Sequence, residues 1–177
     1  MKYLPTQVCQ NIFEIDFNSL YASGKRIILS DLDNTIARYD EKTPSPECLK
    51  WNKQLKDIGF KIYLISNNND NRLIEFTETF KVDGYISKAA KPFKRKMERF
   101  LKEKGIQKED VIAIGDQLVT DICVFNKLKV DSVLVKTIDQ KKQKWYTKIN
   151  RMREAKIIRR IKKVDYSKYN QIKEFYE

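Results

Sequence analysis

The sequence predicts an α/β domain built on a parallel sheet. Two patterns predict it. From Arg26 onward, short apolar runs alternate with amphipathic stretches of helical length, which is the signature of successive βαβ units with right-handed crossovers. Polar clusters follow several of those runs directly, at the strand ends where open α/β sheets bind ligands.

The elements follow in order. Ile27–Leu32 reads as the first core strand, and Pro46–Asp57 as the first helix, with Pro46 suited to a first turn. The pairs Lys61–Ile65 with Asn71–Phe80, Gly84–Ser87 with Pro92–Lys104, and Val111–Ile114 with Val119–Lys127 repeat the strand–helix alternation, and Val130–Val135 adds a last strand. Pro92 again suits a helix start. Gly59, Gly84 and Gly105 fall in connections after helices, where glycine is favoured. Before the first core strand, Ile12, Phe13, Ile15, Phe17 and Leu20 predict a short leader packed onto the sheet. From Lys141 to about Lys163 the pattern becomes helical: Trp145, Ile149, Met152, Ala155, Ile158 and Ile161 recur at three- and four-residue steps among Lys and Arg. The expected organisation is one domain over residues 1–140, leader included, and a basic helical extension over residues 141–177.

Composition narrows the chemistry. A chain of 177 residues with 41% hydrophobic and 34% charged residues is that of a globular domain with a sizeable core. No apolar stretch reaches the length of a membrane span, and Met1-Lys2-Tyr3-Leu4-Pro5 starts no signal-peptide core. Cys9, Cys48 and Cys123 are scattered and odd in number, which argues for a reducing, cytoplasmic setting. The chain has no histidine. That removes Ser-His-Asp and Cys-His catalysis and His-ligated zinc, leaving carboxylates, Lys, hydroxyls, Cys or a hard metal ion. The net charge of +12 is uneven: residues 1–139 carry +3 and residues 140–177 carry +9. Such asymmetry points to an anionic partner.

Four clusters sit at expected strand ends. Asp31-Leu32-Asp33-Asn34-Thr35 follows Ile27-Ile28-Leu29; Ser66-Asn67-Asn68 follows Tyr63-Leu64-Ile65; Lys91-Pro92 opens the third helix; Gly115-Asp116-Gln117-Leu118-Val119-Thr120-Asp121 follows Val111-Ile112-Ala113-Ile114. Taken singly, each is what ordinary turns and helix caps supply. Four at the carboxyl ends of successive βαβ strands converge on one edge. Two aspartates two residues apart at a strand end suit Mg²⁺-dependent phosphoryl transfer, one attacking phosphorus and the other moving protons. The remaining clusters offer donors, a cation and metal ligands for the same chemistry.

With DLDNT, SNN, KP and GDQLVTD in this order, the chain resembles the haloacid dehalogenase (HAD) superfamily of phosphatases. The resemblance is strongest to subfamily IIIA and its YqeG family, relatives of the mitochondrial phosphatidylglycerophosphatase, and it covers about residues 5–160. It implies a Rossmann-like, doubly wound parallel sheet with the first and fourth motifs on neighbouring central strands. It also implies a role for each position. Asp31 is the nucleophile that forms an aspartyl-phosphate, and Asp33 is the acid and base. Thr35 supports the loop, while Ser66 and Asn67 bind the phosphoryl oxygens. Lys91 offsets charge, with Lys88 three residues away as the rival lysine. Asp31, Asp116, Asp121 and the Asp33 carbonyl bind Mg²⁺.

Many superfamily members carry a cap domain after the first or second motif. Here only residues 36–45 separate Thr35 from Pro46, and residues 67–90 hold one helix and one strand. A capless, open site is therefore expected, suited to a phosphate on a large or surface-bound substrate such as a phospholipid headgroup. The resemblance makes phosphatidylglycerophosphate a candidate. The basic tail has three readings: a helix packed on its own domain, an interfacial helix on anionic lipid at the membrane periphery, or a nucleic-acid contact. The rival to an enzyme is a non-catalytic HAD-like protein that binds RNA, ribosome or anionic membrane through this tail.

Overall fold

In a computed structural model of the chain, residues 1–139 and 145–176 are described, with side chains omitted for residues 145–152. A six-stranded sheet, parallel throughout, forms the centre. Its strands are β1 (Gln7–Cys9), β2 (Ile27–Asp31), β3 (Lys61–Ile65), β4 (Gly84–Ile86), β5 (Val111–Gly115) and β6 (Asp131–Val135). The spatial order β1-β6-β5-β2-β3-β4 puts β2 at the middle. The chain runs outward from β2 through β3 to β4, then returns to β5 on the other side of β2. The gap between the ends of β2 and β5 is thus the topological switch point, the place where doubly wound sheets bind ligands.

The helices are α1 (Phe17–Ala22), α2 (Pro46–Ile58), α3 (Asp70–Thr79), α4 (Arg95–Glu103), α5 (Cys123–Leu128), α6 (Trp145–Val164) and α7 (Tyr166–Lys173). They cover both faces. Strand residues alternate between two cores, as the period of two demands. Ile28, Ile62, Leu64, Ile112, Ile114 and Val133 pack under α2, α3 and the leader, whose Ile12, Ile15, Phe17 and Leu20 are buried there. Leu29, Ile65, Ala113 and Leu134 pack under α4, α5, α6 and α7. The central strands are buried on both sides and read as continuous apolar runs for that reason.

The expected strands and helices are all present, with informative differences. The leader does more than pack: Gln7–Cys9 adds an edge strand paired with β6. Phe13 is exposed rather than buried. Gly84 opens β4 itself, at φ 156°, instead of closing the preceding helix. Pro92 is not in a helical first turn. The Lys91–Pro92 bond is cis, Phe93 N closes a turn on Ala90 O, and the first helical bond runs from Glu98 N to Lys94 O, so α4 starts at Arg95. The helix expected from Val119 is split into one wide π-helical turn, Leu118–Ile122, followed by α5.

The expected helical extension is two helices: α6 carries the periodic pattern, and α7 follows beyond the point where that pattern ends. Ile157, Ile158 and Ile161 of α6 and Ile172 of α7 join the core that holds Leu29 and Leu134. Each such side chain, fully buried, stabilises the fold by about 1.5–3 kcal/mol. Ala155, expected on the apolar face, is exposed; the buried stripe is Glu154, Ile157, Ile158 and Ile161. The side chains of Trp145, Ile149 and Met152 lie outside the described residues. Among the described residues no helix is long and apolar enough to cross a membrane.

Candidate active site

Strand register builds the site before any side chain does. Asp31 pairs with Ile65, and Ser30 pairs with Ile114. The residues that leave these three strands, Leu32 onward, Ser66 onward and Asp116 onward, therefore emerge together at one edge. The third cluster is stitched to the second: Ser66 N donates to Ile86 O at 2.9 Å, Lys88 N to Asn68 O at 2.8 Å, and Ala89 N to Ser66 O at 3.0 Å.

Asp31 ends β2 and is buried. The chain then folds back on itself. Ile36 N donates to Leu32 O at 3.0 Å and Asn34 N to Ala37 O at 2.7 Å, with Asn34 in the left-handed region at φ 66°, a conformation asparagine tolerates better than most residues. This fold-back brings Thr35 Oγ1 to within 3.0 Å of Asp31 Oδ2, to which it donates.

Lys91 meets the other oxygen. Its Nζ lies 2.5 Å from Asp31 Oδ1 and 2.6 Å from Asp121 Oδ1, with all three side chains buried. Lys88 is exposed at φ 44°, and its carbonyl accepts from Lys96 Nζ. Asn67 holds Lys91 in place. The Asn67 amide donates to Lys91 O at 3.2 Å and accepts from Lys91 N at 2.8 Å. One of its two amide N–H groups is thus engaged on the lysine backbone.

Asp116 follows β5, and Asp121 returns to it through the wide turn. Asp121 N donates to Gln117 O at 3.0 Å, and Gln117 N donates to Asp121 Oδ2 at 3.1 Å. The turn folds so tightly over the strand end that a Cβ on Gly115 would lie 2.4 Å from Asp121 Cβ. Only glycine fits there. Leu118 N, inside the turn, donates to Glu154 Oε1 at 2.8 Å, so α6 braces the turn from behind. Thr137, two residues past β6, donates to Asp116 Oδ2 at 2.8 Å.

Asp31, Asp116 and Asp121 form a buried group whose ligand atoms lie within 4.8 Å of one another. With Lys91 the cluster holds three carboxylates and one ammonium. Burial pushes the Asp31 carboxyl up to about 7; Lys91 opposes the rise, and the charges of Asp121 and Asp33 add to it. Burial also raises Asp116 well above the usual carboxylate range, helped by Asp121 and Asp31. Burial alone would lower Lys91, but the Asp121 and Asp31 carboxylates outweigh it and raise the ammonium above its ordinary value.

Asp33 lies outside that group. Ser66 Oγ donates to its Oδ2 at 3.2 Å, Asn68 Nδ2 donates to the same oxygen at 2.7 Å, and Arg72 Nε donates to Oδ1 at 3.1 Å. Two of these partners, Asn68 and Arg72, carry no role in the sequence reading, and neither do Thr137, Glu154 or Gly115. Asn68 and Gly115 lie within the strand-end clusters, and Thr137 is a polar residue just past β6 that the same strand-end rule would find; no local signal marks Arg72 or Glu154.

The cluster fits a divalent cation on its own chemistry. Its donors are all oxygen, as hard cations require. Asp116 Oδ1 is enclosed by protein and meets no hydrogen-bond donor, an arrangement that is costly unless something else satisfies the atom. The model of the haloacid dehalogenase-like hydrolase family matches residues 2–125. The chain belongs to that family. A second model, for HAD-like hydrolases, matches residues 88–163. The chain is 32% identical over 161 residues to the "Probable phosphatase YqeG" of Bacillus subtilis, covering 91% of this chain and 92% of that one. The family's fold also recurs in solved structures. One is a 3-deoxy-D-manno-octulosonate 8-phosphate phosphatase from Moraxella catarrhalis, in complex with magnesium, phosphate and KDO. It has a TM-score of 0.50 at 16% identity, over 68% of this chain and 83% of that one. An uncharacterized protein from Listeria monocytogenes serotype 4b has a TM-score of 0.53 at 13% identity, over 67% of this chain and 84% of that one.

Proposed function

We propose that this phosphatase cleaves phosphate monoesters through a covalent phosphate on Asp31. The observation that carries the reading is the Asp31 carboxylate at the switch point, with Lys91 Nζ 2.5 Å from one oxygen and Thr35 Oγ1 3.0 Å from the other. A carboxylate fixed in this way is an oriented nucleophile.

In the first step an Asp31 oxygen attacks phosphorus and the P–O bond to the leaving group breaks. Asp33 gives its proton to the departing oxygen. In the second step Asp33 takes a proton from water as the water oxygen attacks phosphorus; the bond to Asp31 breaks, and inorganic phosphate leaves. Lys91 holds positive charge beside the phosphoryl oxygens, and Asn67 keeps Lys91 in position. Ser66, whose hydroxyl reaches Asp33 at 3.2 Å, is placed to turn toward a phosphoryl oxygen. Asp31, Asp116, Asp121 and the Asp33 carbonyl are the residues that would hold Mg²⁺. When bound, such an ion supplies Lewis-acid stabilisation of charge on phosphoryl oxygens.

Among the described residues no cap follows either motif: α3 and β4 are the regular elements between Ser66 and Lys91, and none lies between Thr35 and Ser45. This favours a phosphate presented on a large body. A phospholipid headgroup, with phosphatidylglycerophosphate first, is the substrate we propose, met at an anionic membrane surface. The test is a panel of lipid, sugar, nucleotide and protein phosphates with Mg²⁺, using Asp31→Asn as control. Hydrolysis by the native chain and none by the variant is expected. Equal turnover by both would overturn the nucleophile, and a preference for small sugar phosphates would overturn the substrate class.

A further inference from the structure

We infer that Arg72 is the positioning residue for Asp33, and that the same guanidinium fastens Asp33 to the loop that follows it. The inference rests on the reading of Asp33 as acid and base.

Arg72 stands on the first turn of α3 and reaches across to the end of β2. Its Nε donates to Asp33 Oδ1 at 3.1 Å, and its Nη2 donates to Arg38 O at 3.2 Å. The guanidinium lies 5.3 Å from the Phe76 ring centre, which supports it from below. The Arg72 and Asp33 side chains are only 13% and 14% exposed. Nη1 is enclosed by protein and meets no acceptor, so the group is packed in place rather than offered to solvent.

Three donors from α3 and its entry loop thus fix the plane of the Asp33 carboxylate: Arg72 on one oxygen, Asn68 and Ser66 on the other. A group that delivers a proton at one point and later takes one from water at nearly the same point gains from a fixed plane. The second bond widens the role. Arg38 O belongs to the segment that folds back on β2 through Asn34 N and Ala37 O, and Arg38 N is itself held by Glu41 Oε2 at 2.9 Å. One planar fork therefore links the carboxylate to the loop backbone. A lysine, with a single nitrogen at its tip, cannot reproduce both bonds in that fixed geometry.

The test separates placement of Asp33 from simple support of the fold. Kcat/KM is measured for an alkyl phosphate, whose leaving oxygen needs a proton, and for 4-nitrophenyl phosphate, whose leaving oxygen does not. Arg72→Met is expected to lower the alkyl value by about tenfold or more, a part of what a positioned acid supplies. The aryl value should change far less, and KM should change little. Asp33→Asn should show the same split, larger. Adding Arg72→Met to Asp33→Asn should widen the split no further. Arg72→Lys should fall between, and it stands in if Arg72→Met does not fold. Equal losses on both substrates, or a full additional loss in the double variant, would overturn the inference. If Asp33→Asn itself shows no split, the acid/base reading fails first and this inference with it.

Discussion

Asp31 and Asp33 are two residues apart in sequence and occupy opposite electrostatic settings. Asp31 is buried with Asp116 and Asp121, and the one ammonium among these three carboxylates pairs with Asp31 and Asp121. Asp33 is one carboxylate facing one guanidinium, an amide and a hydroxyl. The first setting is short of positive charge and leaves Asp116 Oδ1 without a donor; the second has a donor on each oxygen. Burying uncompensated charge is expensive, so the first region carries a cost that a bound cation removes. The second holds one side chain still by donors on both of its oxygens. The pair shows how neighbouring carboxylates are given different work by what surrounds them.

Three experiments bear on this contrast. The largest effect is expected from metal removal. With EDTA, activity should fall to background and return with Mg²⁺. Because the ion would bind only the folded chain, saturating Mg²⁺ at about a hundred times its Kd should add about 2.7 kcal/mol, a rise in Tm of roughly 5–10 °C for a chain of this size. Full activity in thoroughly metal-free buffer, with no shift in Tm, would remove the contrast.

Next in size is Gly115→Ala. The added Cβ would lie 2.4 Å from Asp121 Cβ, so the turn must move. Overpacking of this kind costs about 1–3 kcal/mol, and a displacement near 1 Å at a catalytic group costs on the order of 10²-fold in rate. Activity and Mg²⁺ affinity should fall together while Asp33 keeps its partners. A variant with native activity would show that the approach of Asp121 to the strand end is not required.

The smallest expected effect is on the stability of metal-free protein as a function of pH. Burial raises Asp31 to about 7 in the folded chain, above the roughly 3.9 of an unfolded aspartate. Folded protein therefore holds the proton more tightly, and the stability this gives is complete below the unfolded value and lost as pH rises through the folded one. Tm without metal should decline by several degrees between about pH 4 and 7, and Asp31→Asn should flatten the decline. The same slope in native protein and variant would contradict the burial argument.

Much of this was readable along the chain, for a physical reason. Residues that leave a buried parallel strand must emerge at one edge, so Asp31, Ser66 and Asp116 were marked by the apolar runs before them. Lys91 is marked by its place in a resemblance; geometry separates its buried Nζ, held between Asp31 and Asp121, from exposed Lys88. Arg72 and Glu154 were not legible. Each reaches the site across a tertiary gap from a helix face, and a charged residue on an amphipathic helix looks solvated until its partner is known. Gly115 looked like turn glycine, whereas its need comes from Asp121 folding back over it. The strand Gln7–Cys9 is too short to show a period, and proline's preference for first helical turns points to a helix start at Pro92, whereas the Ala90–Phe93 turn holds it ahead of α4. In the tail, packing on the domain is one of three readings the sequence allows, and Ile158 and Ile161 do pack there; the break at Asp165 that starts α7 carries no periodic signal.

The central claim is that the Asp31 carboxylate receives the phosphoryl group. Mass spectrometry of acid-quenched Asp33→Asn protein, taken during turnover of 4-nitrophenyl phosphate with Mg²⁺, tests it most directly, because loss of the base should slow hydrolysis of the intermediate. The account predicts one phosphoryl group per chain, mapped to the peptide that contains Asp31 and absent when Asp31 is also changed to Asn. A phosphoryl group on any other residue, or steady turnover by Asp31→Asn, would contradict it.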